Sequence, residues 1–482
     1  MPRYPDNPIA SGTEELTPAD PAAANNKPAA ETEGLHRRLG QRQLTMMAIG
    51  GAIGVGLFLG SSLAIRLAGP GVIISYLLGA VIALIMSYVL AEMAVVHPVA
   101  GAFGVYAEKY LNPWAGFAVR MTYAVAQILA IGAEATAGAI YFHYWWPNVP
   151  QWIWVVLVAA ALVGLNAMQV KHLGEVEYWF AMIKVTAIVA FILVGLGLIF
   201  GVGSGKAVGF ANLSQHGGFL PAGWKGVWFS LTITLTSYMS IEGIAVTAGE
   251  AQNPEIAIPH AMRNIVYRLI LFYVLAIAIM VTMVPWNQTS SSNEVTGSPF
   301  VTAFAAAHIP YAATIMNFVV LTAALSSLNT NLYLTTRMLF SLGHEGYVPG
   351  WIGKVSRNGV PHPALLVSTG GIIAAILLAL FAPANAFYRL YGAAVAAMLF
   401  VWLVILTTHL RFRKAIPKER LASLPMRLRA HPAFTVVGIA SLLAILFTTF
   451  LVDGLRWSVP IFAGFLVLIS LAYLRSRGHK NT

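Results

Sequence analysis

The sequence predicts an all-α membrane protein of twelve transmembrane helices. Three observations carry that reading. First, 58% of the 482 residues are hydrophobic and 10% are charged, with a mean hydropathy of +0.73. Soluble domains carry about 25% charged residues, and so few polar groups could not cover a water-facing surface. Second, apolar stretches of about 20 residues recur, each long enough to cross about 30 Å of hydrocarbon. Third, no stretch alternates apolar and polar residues as the strand of a membrane barrel does. The same composition excludes most soluble enzyme classes, disordered chains and collagen. Cysteine is absent, so disulfides, thiolate nucleophiles and cysteine metal sites are excluded too.

Taken in order, residues 1–34 are rich in Pro, Ala, Asn and Glu and hold no apolar run. They cannot bury enough surface to fold alone and are expected to form a disordered cytoplasmic tail. They also lack the apolar core of a signal peptide. A twelve-helix domain is expected over 35–475, and 476–482 reads as a short cytoplasmic tail. The expected spans lie near 44–65, 71–93, 116–142, 152–171, 178–201 and 226–249, then 264–286, 311–341, 363–381, 386–409, 432–452 and 457–474. The third and eighth are long, as tilted or extended helices would be. Tyr141, Tyr144, Trp145, Trp146, Trp152 and Trp154 between the third and fourth read as an interfacial belt.

Charge orients the chain. With both termini cytoplasmic, 23 basic residues fall at the inner side and five (Arg66, Lys206, Lys225, Arg389, Arg456) at the outer, while Lys184 lies within a span. The positive-inside rule favours this placement in a cytoplasmic membrane. The net charge of +11 is therefore a one-sided skew that needs no nucleic acid to explain it. The basic run 411–429 suits contact with anionic lipid, beside its plainer reading as a topology signal.

The first span contains Gly50, Gly51, Gly54, Gly56 and Gly60. A glycine within a helix costs about 1 kcal/mol relative to alanine. Two readings stay open: close helix packing on small residues, or an interrupted helix whose freed backbone faces a cavity. It is no dinucleotide fingerprint, because position 59 is Leu and no strand precedes it. The sixth span holds Ser237, Tyr238, Met239, Ser240 and Glu242, followed by Gly243. A carboxylate within a span is costly and is a functional candidate. The second run lies five spans after the first, as an inverted repeat of five helices would give, although the halves do not visibly align. Glu134 in the third span is a hydrogen-bonding brace or a substrate contact. Lys184 in the fifth is a proton carrier, a fixed cation in place of sodium, or a brace to backbone carbonyls. No histidine pairs with a second ligand at metal spacing, no Ser/His/Asp set appears, and no phosphate loop is present. No cofactor and no metal are expected.

An ordered series of segments resembles the amino acid–polyamine–organocation superfamily, and within it the bacterial amino acid permeases. These are LGQRQLTMMAIGGAIGVGLFLGS (39–61), AGPGVIISYLLGA (68–80), AEMAVVHP (91–98), EATAGAIYFHYW (134–145), GEVEYWFAMIKV (174–185), TAGEAQNPE (247–255) and RMLFSLGHEG (337–346). The resemblance spans about 35–475. It implies a LeuT-like five-plus-five inverted repeat with helices 1 and 6 broken, plus two further helices. It implies uptake of an amino acid across the cytoplasmic membrane by alternating access, with a proton as coupling ion. Exchange of one amino acid for another, and sensing without flux, are the rival expectations. By position, Ala52, Ile53, Gly54, Val55 and Gly56 would meet the substrate's carboxylate and amine. Tyr238, Met239, Ser240 and Glu242 would form the opposite wall, with Lys184 in proton coupling and Glu134 in support. One departure stands out: relatives carry two glycines where this chain has Met239 and Ser240. That change is expected to narrow the pocket, or to move the break towards Gly243, and so to favour a small or slender substrate.

Overall fold

Seventeen helices can be followed through a computed structural model, which describes residues 41–480 apart from Val55, Ala100, Gln169, 203–206, Gln252, 289–299, 301–302, 304–310, Asn358, 382–385 and 452–454. The N-terminal tail expected over 1–34 lies outside the described residues. The helices are α1 (Gln41–Ala52), α2 (Ser61–Ala68), α3 (Val72–Val96), α4 (Ala102–Tyr110), α5 (Pro113–Trp145), α6 (Gln151–Asn166), α7 (Val170–Ile199), α8 (Gly223–Thr234) and α9 (Gly243–Val246). They continue with α10 (Pro254–Met283), α11 (Ala312–His344), α12 (His362–Ser368), α13 (Gly370–Phe381), α14 (Ala386–Ala415), α15 (Lys418–Ala422), α16 (Ala433–Thr448) and α17 (Ser458–Lys480). No strand occurs among the described residues.

Among those residues nine helical stretches are long and apolar enough to cross a membrane. Three shorter apolar stretches, Arg42–Phe58, Gln151–Asn166 and His362–Leu377, stand where the first, fourth and ninth spans are expected. Two of the three contain an interruption: α1 stops at Ala52, and Thr369 alone separates α12 from α13. Other boundaries follow local chemistry. Asn112 caps α5 by accepting from the Ala115 N–H at 2.8 Å, with Pro113 at the first helical position. Gly69, at φ +60°, begins the Gly-Pro-Gly turn that separates α2 from α3.

The long α5 lies at the centre, packed against α4, α11, α13 and α14. Its many alanines and glycines permit close approach. On the facing helix, a Cβ at Gly371 would stand 1.7 Å from the Ile128 carbonyl oxygen, so only glycine fits. The α11 helix is the polar interior member. Ser326, Ser327, Asn329, Thr330, Asn331, Thr335, Thr336 and Arg337 are all buried on it. Hydrocarbon could not satisfy these groups, so they turn inward.

Three buried ion-pair clusters tie the end of the molecule that carries most basic residues. Glu92 accepts from His409 Nε2 (2.9 Å), from Arg413 Nε (2.7 Å) and Nη2 (2.6 Å), and from the Leu428 N–H (2.5 Å). Arg120 pairs with Glu108 and, at 2.6 Å, with Glu345. Arg337 pairs with Glu250 at 2.7 Å. Arg120 and Arg337, two of the 23 basic residues assigned to the inner side, are buried structural cations. Tyr141, expected in the aromatic belt, is buried too, whereas Tyr144, Trp146 and Trp152 are exposed.

Two histidines at this end stay neutral. His97 Nε2 lies 2.7 Å from the Tyr110 hydroxyl, and burial, then the charges of Lys109 and Arg420, hold its pKa down to about 4. Burial, then His409 and Arg413, hold His431 down to about 4. Groups depressed below their ordinary 6.5 leave stability whole above that pH and remove it as pH falls from 6.5 towards 4. The melting temperature in detergent should be level above about pH 7 and decline below about pH 6.5. The His97→Asn/His431→Asn double variant should decline less steeply; an equal slope would assign the decline to other groups.

Candidate functional site: two broken helices around one cavity

The glycine run ends α1. Ile53 and Gly54 leave helical geometry, and one wide turn over Gly56–Gly60 leads into α2. The Gly54 N–H is spent on the Ala52 carbonyl (3.0 Å) and the Leu57 N–H on Gly54 (3.3 Å). The carbonyls of Gly50 and Ile53 therefore lose their helical donors. Lys184 supplies replacements: its buried Nζ donates to Gly50 O at 2.5 Å, Ile53 O at 3.0 Å and Ser326 Oγ at 2.8 Å. Three ammonium protons meet three acceptors. Tyr273 Oη adds a donor to the Ala52 carbonyl at 2.6 Å. Behind the lysine stands Glu177, two turns earlier on α7 and fully buried. It accepts from the Ser326 hydroxyl and, at 2.9 Å, from Asn329 Nδ2. The glycines also let helices close: a Cβ at Gly50 would lie 1.9 Å from Glu177 Oε1, and one at Gly54 2.6 Å from Ser327 Oγ. Both readings of the glycine run thus have a physical counterpart here.

The sixth span is interrupted as well. After α8 a tight 3₁₀ turn covers Leu235–Tyr238, Met239 is extended, and Ser240 sits at φ +91°. The break lies at Met239–Glu242 and not at Gly243. Gly243 instead opens α9, where its missing Cβ leaves 3.0 Å to Leu334. Ser240 holds a conformation that glycine adopts at less cost. Glu242 steadies it: its carboxylate accepts the Ser240 N–H at 3.0 and 3.1 Å and Trp402 Nε1 at 3.2 Å. Tyr238 donates to the Tyr76 carbonyl at 2.9 Å, and its ring packs 5.1 Å from that of Tyr273. Tyr273 therefore touches the wall of one break and caps the other.

Between the breaks lies a cavity of about 80 Å³. Ala52, Gly54 and Gly56 line it from the first break; Thr236, Ser237, Met239 and Ser240 line it from the second. Gln127 and Glu134 enter from α5, Ser327 and Asn331 from α11, and Met398 from α14. Glu134 Oε1 accepts from Ser327 Oγ at 2.8 Å. Asn331 is buried and its Oδ1 meets no hydrogen-bond donor among the described residues. Of the expected site residues, Ile53, Tyr238, Glu242 and Lys184 stand behind this lining, and Val55 lies outside the described residues. Sequence reasoning passed over Gln127, Glu177, Ser327 and Asn331. Spacing held a signal for each. Glu177 and Lys184, and likewise Gln127 and Glu134, are seven residues apart on one helix face. Ser327 and Asn331 are four apart.

A small chamber that carries a few polar groups, walled by two unwound backbones inside an apolar helical shell, suits an integral membrane transporter. The protein-family comparison agrees: the amino acid permease family matches over residues 43–480, and the chain belongs to that family. An uncharacterized amino acid permease of Bacillus subtilis (strain 168), YtnA, is 39% identical over 93% of this chain and 96% of its own. The gamma-aminobutyric acid permease of the same organism is 37% identical over 93% and 95%. Its probable threonine/serine transporter YbxG is 36% identical over 91% and 94%. The protein is a membrane permease for amino acids, and not an enzyme.

The Gly54→Ala variant should lose about 1–3 kcal/mol of stability by overpacking and lose substrate-induced thermal stabilisation. Adding Ser327→Gly should recover part of the stability. A Gly54→Ala protein that melts and binds like the parent would refute the close approach.

Proposed function

We propose that this permease takes up a small neutral amino acid by proton-coupled symport through twelve spans, with both termini cytoplasmic. The observation that carries the reading is the cavity bounded by both breaks. The helical restart at Gly56 offers the positive end of a half-helix to the substrate carboxylate. The close of the first half of the sixth span, at Thr236–Met239, offers its negative end to the ammonium, beside Glu134 and Asn331. Ala130 and Met398 bound the remaining space. A volume of about 80 Å³ holds only a handful of water-sized groups. Met239 is part of the wall that sets this volume, which supports a side chain no larger than those of threonine or serine, or a slender amine such as gamma-aminobutyrate.

Lys184 lies outside the chamber and acts on helix 1. Its ammonium holds the Gly50 and Ile53 carbonyls in the broken geometry. A neutral amine has one donor fewer and cannot satisfy all three acceptors. Proton loss would therefore loosen helix 1 and couple the proton to rocking of the bundle. Proteoliposomes test this: an imposed inward proton gradient should drive accumulation into empty vesicles. Accumulation indifferent to the gradient would remove the coupling, and flux only into preloaded vesicles would make the protein an exchanger. Lys184→Ala should abolish gradient-driven accumulation while leaving some exchange of preloaded substrate.

Orientation has a separate test. The chain has no cysteine, so Ser423→Cys creates a unique thiol on the exposed α15–α16 connection. An impermeant maleimide should label it in inside-out vesicles and not in intact cells; the opposite pattern would reverse the topology.

A further inference from the structure

A groove of about 920 Å³ lies at the basic end of the molecule, remote from the chamber and unused by transport chemistry. Its walls are α3, the start of α10, the α15–α16 connection and the first turn of α16. Two contacts set the register of α3 and α10: Ser87 Oγ donates to the Met262 carbonyl at 3.0 Å, and the Tyr76 and Tyr273 rings lie 6.1 Å apart. The helices are therefore antiparallel. Val81 stands level with Tyr267, and Tyr88 with Arg263. From Val81 to Tyr88 the helix rises about 10 Å, within one acyl leaflet of about 15 Å. The deeper wall is apolar and half exposed at Val81 (54%) and Tyr267 (55%), and Phe434 (49%) adds an exposed ring on the first turn of α16.

The rim is basic. Arg263 comes from α10, and Arg427 and Arg429 come from the connection. The Glu92 cluster explains the last two. Glu92 and Arg413 grip the Leu428 backbone on both sides, N–H at 2.5 Å and carbonyl at 2.9 Å. Met426 and Leu428 are thereby buried, and Arg427 and Arg429 alternate outward. None of the three arginines forms an ion pair among the described residues, although Glu255 lines the same groove. Arg413, within the same basic run, is spent on Glu92 and is not available to a ligand.

We propose that this groove is a binding site for an anionic phospholipid. The lipid's phosphate sits among Arg263, Arg427 and Arg429, and an acyl chain lies along Val81, Tyr267 and Phe434. Guanidinium groups match phosphate oxygens in bidentate geometry, and a basic pocket between spans at the cytoplasmic face suits such a headgroup. The assignment to the inner leaflet rests on the orientation proposed above; the site itself does not. Bound there, the lipid bridges α10 to the connection that the Glu92 cluster anchors.

The test uses the full-length, delipidated protein in detergent, read by native mass spectrometry and thermal shift. Dioleoylphosphatidylglycerol should be retained and should raise the melting temperature more than dioleoylphosphatidylcholine does. The Arg263→Gln/Arg427→Gln/Arg429→Gln variant should keep its lipid-free melting temperature and bind the anionic lipid on the order of 100-fold more weakly. A variant with matched charge loss outside the groove, Arg411→Gln/Lys414→Gln/Lys418→Gln, should stay within about twofold of the parent. Equal retention of the two lipids, an equal loss in the matched variant, or full stabilisation by inorganic phosphate alone would overturn the proposal. If thiol labelling reverses the topology while the groove variant still loses the lipid, the orientation fails and the lipid site stands.

Discussion

The Lys184 ammonium, placed on carbonyls that the first span cannot satisfy, is the contact on which the rest of the site depends. A chain interrupted inside a bilayer leaves backbone acceptors away from water, and each unsatisfied one costs several kcal/mol. Lysine resolves two at once, and Tyr273 adds a second donor to the Ala52 carbonyl beside the Gly54 N–H. The lysine's own burial is made tolerable by Ser326 and by Glu177 behind it. Asn329 and Asn166 extend that polar line from α11 to α6. Five elements are thereby committed to one geometry around the break: α1, α6, α7, α10 and α11.

The second break is built differently. No distant cation holds it among the described residues. Glu242 folds back on the Ser240 amide two residues earlier, and Trp402 from α14 closes the carboxylate's outer side. The carboxylate thus serves a serine in an unfavourable conformation, where glycine would have needed no such help. One break is clamped through long-range contacts and the other mainly through a local one.

Basic residues divide into three physical kinds. Arg337 and Arg413 are locked to buried carboxylates and the buried Arg120 to two half-buried ones, and all three bind elements together. Lys184 is spent on backbone. Of the exposed remainder, Arg263, Arg427 and Arg429 frame the groove. A count by sign and position sees one skew; only burial separates the cations that hold the fold from those that face lipid and water.

Much of this protein was legible in its residues alone. Apolar length determined the helical membrane class, because hydrocarbon admits no other use for such runs. Glycine density marked the first break, and an intramembrane carboxylate marked the neighbourhood of the second. What tertiary structure decided is which polar groups face the chamber. Glu242 and Glu134 look alike in sequence, each a lone carboxylate in an apolar span. Packing turns the first onto its own backbone and the second towards Ser327 and the cavity. Lys184 and Asn331 likewise exchange expected prominence, one a brace behind the wall and the other a lining group. Hydropathy records how far a residue must be from water. It does not record which of several buried partners will reach it, because that depends on how interrupted helices from distant parts of the chain come to rest against each other.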